Sequence, residues 1–241
     1  VRRGTRLESW AATHAGTVRS SNQDTFVLRP EIGLWAVADG AGGHGGGEIA
    51  SAAVADALRS VPPGLSAGEL LGQVRASLIA TNDALRVEAA GRGPRAMLAS
   101  TVVALLVRDA HFACLWAGDS RCYLWRGGAL SCVTRDHSLV QELVDSGAIT
   151  EEAAERHPQA NVVTRAIGAD DGLALDKITG AVLPGDVFLL MSDGVTKSLD
   201  PATLALTLAA TDGQALADAL IALAMTRGST DNVTALVVRC P

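Results

Sequence analysis

Leu34-Trp35-Ala36-Val37-Ala38-Asp39-Gly40-Ala41-Gly42-Gly43-His44 carries an apolar run straight into an aspartate and then into a glycine cluster that continues through Gly45, Gly46 and Gly47. The run is too short for most helices and suits a buried strand, which puts Asp39 at the strand's end. Three other segments repeat the arrangement. His111 to Ala117 leads into Gly118-Asp119-Ser120, Val187 to Met191 leads into Ser192-Asp193-Gly194, and Thr230-Asp231-Asn232 opens onto Val233 to Val238. An aspartate at the edge of an apolar strand is costly to bury alone, whereas several converging on a divalent cation are compensated and offer hard oxygen ligands. The pattern predicts a metal site assembled at strand ends.

Outward from Leu34, the segments Glu8 to Thr13 and Asp24 to Leu28 read as earlier strands, punctuated by Pro30 and Gly33. Glu48 to Arg59 is helical in pattern and Pro62-Pro63-Gly64 ends it. A longer helix is expected from an N-cap at Ser66 to near Glu88, burying Leu70, Leu71, Val74, Leu78, Ile79 and Leu85 at three- and four-residue spacing. Thr101 to Val107, His111 to Ala117, Cys122 to Arg126 and Ala129 to Val133 form a meander, with Gly127-Gly128 as a two-residue hairpin turn. Helices return at Ser138 to Ser146 and Thr150 to Arg156. Two more follow the Asp200-Pro201 cap, about Ala202 to Ala210 and Gln214 to Arg227. Strands in runs and helices in pairs favour antiparallel sheets with helices laid on the outside, an α+β class.

With 241 residues, 48% of them hydrophobic, the chain can bury a substantial core. The candidate ligands run from Asp39 to Asp231, so a site needing both ends argues for one domain over 1–241. A net charge of -6, with only Val1-Arg2-Arg3 locally basic, argues against nucleic-acid binding. Cys114, Cys122, Cys132 and Cys240 lack C-x-x-C spacing and read as reduced core or edge thiols, which points to a cytoplasmic location. No apolar stretch reaches the roughly 18 residues of a membrane span and no signal peptide is read at the start, while the chain begins at Val1 without methionine, as an excised domain would.

Arg19-Ser20-Ser21-Asn22-Gln23-Asp24 sets an arginine, whose planar fork matches phosphate oxygens, a few residues ahead of an acid at a strand edge. Together with Asp39 to His44, Gly118-Asp119-Ser120-Arg121, His157-Pro158, Thr164-Arg165-Ala166-Ile167-Gly168, Ser192-Asp193-Gly194 and Asp231-Asn232-Val233-Thr234, it resembles the bacterial metal-dependent serine/threonine phosphatases of type 2C, the PPM family. The order of the motifs is the family's and nearly the whole chain is covered. The resemblance implies a four-layer α-β-β-α sandwich, two antiparallel sheets face to face with helices on both outsides. It implies Mn²⁺ or Mg²⁺ as cofactor, two inner ions and a third, weaker one. By the same resemblance Asp39 bridges the inner pair, Gly40 contributes its backbone carbonyl, Asp193 and Asp231 complete the inner ligands, Asp119 holds the third ion, and Arg19 clamps phosphate. Residues from about 149 to 168 resemble a flap over the site.

Elementary electrostatics agrees with such a ligand set. Two carboxylates about 4 Å apart repel by roughly 4 kcal/mol at an effective dielectric of 20, so the metal-free site is expected to be looser or partly protonated. Two ions held there would supply a readily deprotonated water able to attack phosphorus in line without a phospho-enzyme, and the resemblance implies phosphoserine and phosphothreonine in proteins as the substrate. Two positions depart from the family: Gln23 stands where many relatives carry glutamate, and Ala41 where others have histidine or methionine, so the leaving oxygen is protonated from elsewhere, with His44 one candidate. His14, His111, His137 and His157 carry no chemistry in this reading. Two other classes compete with it. A catalytically weak member acting as a phosphoprotein-binding regulator would have lost metal ligands, and a two-metal phosphodiesterase or nuclease would show basic surface and histidine ligands. The implied partners are a phosphoprotein, such as a forkhead-associated protein of a type VI secretion system, and a cognate eukaryotic-like Ser/Thr kinase. A stress-response or cell-wall role stands beside the secretion one, and the chain is expected to be a monomer.

Overall fold

The computed structural model describes residues 7–43 and 45–241. His44 and the basic Val1-Arg2-Arg3 lie outside the described residues. In chain order the strands are β1 (Glu8–His14), β2 (Asp24–Arg29), β3 (Leu34–Ala41), β4 (Ala99–Ser100), β5 (Val102–Arg108), β6 (His111–Ala117), β7 (Arg121–Arg126), β8 (Ala129–Cys132), β9 (Asp176–Ala181), β10 (Val187–Met191) and β11 (Val233–Arg239). The helices are α1 (Gly46–Arg59), α2 (Ala67–Arg92), α3 (Leu139–Asp145), α4 (Glu151–Glu155), α5 (Asp193–Thr196), α6 (Pro201–Ala210) and α7 (Gly213–Thr226). One sheet has the order β1-β11-β10-β7-β8 and the other β2-β3-β5-β6-β9, with β4 attached to β3; every pairing is antiparallel.

Side-chain alternation turns these sheets into four layers. In β3, Leu34, Ala36 and Ala38 pack with Val54 and Leu58 of α1 and Leu70, Val74 and Leu78 of α2, while Trp35 and Val37 face the opposite way. There they meet Phe188, Leu190, Leu236 and Val238 of the other sheet. That second sheet turns Leu189, Met191, Val233, Ala235 and Val237 outward onto Leu204, Leu216 and Leu220 of α6 and α7. Both faces of each central strand are covered, so the strands read as continuous apolar runs instead of alternating ones. The same period of two decides the direction of the polar residues at the rim. Asp39 continues the Trp35–Val37 face, Ser192 the Phe188–Leu190 face and Thr234 the Leu236–Val238 face, so all three belong to the seam between the sheets.

Caps and turns follow the expected chemistry. Ser66 Oγ accepts from the Glu69 N–H and the Glu69 carboxylate accepts from the Ser66 N–H at 2.8 Å, a capping box that starts α2. Gly127 and Gly128 both have positive φ, as a tight hairpin requires. All four cysteines are free; Cys132 is exposed and the others are buried. Among the described residues no helix is long and apolar enough to cross a membrane.

One expectation needs correction, and two features carried no expectation from the sequence. Ile79 is 38% exposed, because the buried seam of α2 runs through Leu78, Asn82, Leu85 and Ala89, and a residue one step from that seam is turned by about 100°. Asp176–Ala181 forms β9, a stretch without a strand signal in its sequence. As an edge strand bonded only to β6 it keeps most side chains in solvent and shows neither a buried run nor strict alternation. Asp193 opens a single helical turn, α5, directly after its strand.

Candidate active site

At one rim of the sandwich the ends of β2, β3, β10 and β11 bring their acids together. Asp24 and Asp39 are register partners across β2 and β3. The Asp24 Oδ2 accepts from Ser192 Oγ and from Thr234 Oγ1, both at 2.7 Å, so one carboxylate ties the two sheets. Its other oxygen, Oδ1, is buried and has no partner among the described residues. Burial pushes the Asp24 carboxyl up to about 7 against the two hydroxyl bonds, helped by the charges of Asp193 and Asp231.

Asp39 is fixed by its backbone. Its N–H donates to Thr101 Oγ1 at 3.2 Å, and its carbonyl accepts from the Thr101 N–H at 2.8 Å and from Ser100 Oγ at 3.1 Å. Protein crowded around the carboxyl, and then the charges of Asp24, Asp193 and Asp119, raise its pKa well above the ordinary carboxylate value. Gly40 follows at a crossing of two backbones. A Cβ there would lie 2.0 Å from the Gly47 carbonyl oxygen, and one on Gly47 would lie 2.7 Å from that of Gly40. Only glycine at both positions lets the start of α1 cross the end of β3.

Asp119 sits in the turn after β6, buried, with Thr101 Oγ1 and Ser120 Oγ 2.7 Å apart beneath it. Burial, then the charge of Asp193, raises the Asp119 carboxyl to about 6, with Lys197 opposing. The Lys197 ammonium lies 2.5 Å from Asp193 Oδ2 and 3.5 Å from Asp119 Oδ2. Across the opening, Arg19 places Nε 2.9 Å from Asp231 Oδ1 and Nη2 2.8 Å from Oδ2. Burial alone would raise the Asp231 carboxyl, but the Arg19 fork and the Asn232 N–H hold it below the usual range.

Hard oxygen donors, a buried carboxylate oxygen without a partner among the described residues, and carboxyls held high by burial and then by neighbouring acids are what a divalent-cation site needs, and these residues fit one. In the arrangement seen, Asp231 is held by Arg19 and Asp193 by Lys197. Among the described residues no three Asp, Glu, His or Cys side chains close tightly on one point.

A family model for Protein phosphatase 2C matches residues 13–220. The chain belongs to the protein phosphatase 2C family. It is 34% identical over 227 residues to the serine/threonine protein phosphatase PstP of Mycobacterium tuberculosis, covering 94% of this chain and 44% of that protein. The chain thus spans less than half the length of PstP. Among solved structures, PppA, described as a key regulatory component of T6SS in Pseudomonas aeruginosa, superposes with a TM-score of 0.92 at 44% identity over 99% of each chain. The catalytic domain of PstP in complex with two manganese ions superposes with a TM-score of 0.87 at 32% identity over 97% of each chain. The four-layer architecture expected from the resemblance is therefore the fold of this chain, shared with these structures.

Within this protein phosphatase 2C fold, Asp39, Gly40, Asp119, Asp193, Asp231 and Arg19 all stand at the same rim. His157 does not join them; its Nδ1 accepts from the Gln159 N–H. Several residues of the site escaped the sequence reading. Thr101 links Asp39 to the Asp119 turn, and the adjacent hydroxyls of Ser100 and Thr101 at the head of an apolar strand were the available signal. Asn232 accepts from the Gln23 N–H and donates to the carbonyls of Ala15 and Ser21, which anchors the loop carrying Arg19. His137 has a positioning role: its Nδ1 accepts from the Gly118 N–H at 3.2 Å and its Nε2 faces Asp176 at 3.2 Å. Burial lowers its pKa, so the neutral ring carries its proton on Nε2.

Proposed function

We propose that this chain is the catalytic domain of a divalent-metal-dependent phosphatase that removes phosphate from phosphoserine and phosphothreonine in proteins, reversing a eukaryotic-like Ser/Thr kinase. The observation that carries the reading is the Asp39 carboxyl, held proton-hungry by burial and by Asp24, Asp193 and Asp119 at the rim of a protein phosphatase 2C fold. A site in that state takes up a divalent cation with release of a proton. In this reading Asp39, the Gly40 carbonyl, Asp193 and Asp231 hold two ions, Mn²⁺ or Mg²⁺. PstP, with its two manganese ions, supports the pair. Asp119, given a third ion by the resemblance, is already in contact with Lys197.

When bound, the ions supply an activated water and neutralise phosphoryl charge. The chain's own residues do the rest. Arg19, on a loop pinned by Asn232, presents its fork at the opening and exchanges Asp231 for the equatorial oxygens of the phosphoryl group. Asp24, through Ser192 and Thr234, holds the strand ends that carry Asp39, Asp193 and Asp231 in fixed relation. The regulator alternative has nothing to support it, since each expected metal ligand, Asp39, Gly40, Asp119, Asp193 and Asp231, is present.

Residues 1–241 are read as one catalytic domain, supported by the pairing of β1 with β11 from Glu8↔Arg239 to His14↔Val233. The flap reading for residues 149–168 is supported by the attachment of that segment through single bridges, Ser138↔Val163 and Ser100↔Ile167. The partner is a phosphoprotein or the cognate kinase. The 44% identity to PppA supports a place beside a type VI secretion system; in this reading the substrate there is a forkhead-associated protein and the chain is a cytoplasmic monomer.

The test is phosphate release from a phosphothreonine peptide after EDTA treatment and Mn²⁺ titration, beside Asp193→Asn and beside a diester, bis-p-nitrophenyl phosphate. Metal-dependent release from the peptide, lost in the variant and absent with the diester, is expected. Full activity of Asp193→Asn would remove the ligand assignment.

A further inference from the structure

Asp119 and Asp193 come from different sheets' ends, face one another across the rim, and share one positive partner. Lys197 follows Asp193 by four residues, and its N–H donates to the Asp193 carbonyl at 2.8 Å, so its stem climbs back over the turn that Asp193 opens. That places Nζ 2.5 Å from Asp193 Oδ2 and 3.5 Å from Asp119 Oδ2. Among the described residues Lys197 is the one cation in contact with Asp119; the nearby Asp136 is taken up by Arg121, at 2.8 Å through each of two bonds. Asp119 is only 5% exposed at its side chain, so no solvent layer separates it from the ammonium.

We propose that Lys197 is a built-in cation that takes the place of a third metal ion between Asp119 and Asp193, leaving this chain a two-ion phosphatase. The inference rests on the metal-dependent reading above and deepens it. An ammonium and a divalent cation repel at close range and compete for the same carboxylate oxygens, so the two are alternatives. The tethered charge needs no free ion and is present at every metal concentration. Asp193 can still offer its remaining oxygen to the inner pair, whereas Asp119 is occupied by the chain itself.

The experiment counts ions directly. Metal-free full chain, Lys197→Ala and Lys197→Arg are titrated with Mn²⁺, with free ion followed by electron paramagnetic resonance and folding by circular dichroism. Two bound equivalents are expected for the wild type and for Lys197→Arg, and three for Lys197→Ala. Adding Asp119→Asn to Lys197→Ala should return the count to two. Three equivalents in the wild type overturn the assignment without recourse to any variant, and so do two in a folded Lys197→Ala. No bound ion in the wild type would overturn the metal-dependent reading itself, and this inference with it.

Discussion

The guanidinium of Arg19 forks onto the carboxylate of Asp231, which lies 212 residues further along the chain, through bonds of 2.9 and 2.8 Å. Both side chains are about half exposed, so the pair contributes little to stability and can open at small cost. Phosphate offers the same planar match as the carboxylate it replaces.

Arg19→Ala is accordingly expected to raise KM for a phosphothreonine peptide on the order of tenfold, with Mn²⁺ affinity much less affected. Steady-state kinetics at saturating Mn²⁺ gives the first quantity and calorimetric titration the second. An unchanged KM would leave Arg19 without a role in holding substrate.

Among the described residues Asp39 lies among acids with no cation bonded to it, whereas Asp193 has Lys197. Asp39→Asn should therefore steady the metal-free protein while lowering turnover on the order of 10²-fold or more. Each 1 kcal/mol of relieved repulsion would appear as a rise of about 2–4 °C in Tm in the presence of EDTA. A lower Tm for the variant would show that the Asp39 charge is already compensated within the chain.

The Asp24 carboxyl, raised to about 7 by burial, gives the metal-free protein an unusual pH dependence. Below about pH 4 the group is neutral in both states. Between there and about 7 the unfolded chain has lost the proton that the folded one keeps, so the folded state binds more protons and this group's contribution falls as pH rises. Urea unfolding in EDTA should show that decline across the window, and Asp24→Asn should make it shallower, the raised Asp39 and Asp119 carboxyls keeping the remainder. A wild-type profile identical to that of the variant would contradict it.

Asn82 is fully buried on α2, where Oδ1 accepts from the Gly168 N–H at 2.8 Å and Nδ2 donates to the Asp170 carbonyl at 3.1 Å. Ile167, next to Gly168, exchanges two bonds with Ser100, whose hydroxyl reaches the Asp39 carbonyl. Asn82→Ala leaves two backbone groups without partners and should cost about 1–3 kcal/mol. Urea denaturation with an unchanged m value would measure it, and a loss below a few tenths would mean that water replaces the amide.

Much of the fold was legible because its signals are local. The runs Leu34 to Ala38 and Val187 to Met191 announced strands covered on both faces, and Ser66 and Asp200 announced helix starts through a hydroxyl and a carboxylate that do cap the following turns. β9 was hidden because an edge strand needs no apolar pattern. The α2 seam was read one residue too wide at Ile79, and Asn82 passed unnoticed because a polar residue on a seam makes sense only when its partners are known.

By itself the sequence determined which residue types stand at the strand ends, and hence the expectation of a hard-cation site at Asp39, Asp193 and Asp231, since a carboxylate closing a buried strand demands compensation. Tertiary structure alone decided who compensates whom. That Asp231 meets Arg19, that Asp24 holds Ser192 and Thr234 while one of its oxygens stays unpaired, and that Lys197 lies between Asp119 and Asp193 depend on the packing of two sheets, which brings together charges separated by tens to hundreds of residues. Spacing along a chain carries the first kind of information, and only distance in space carries the second.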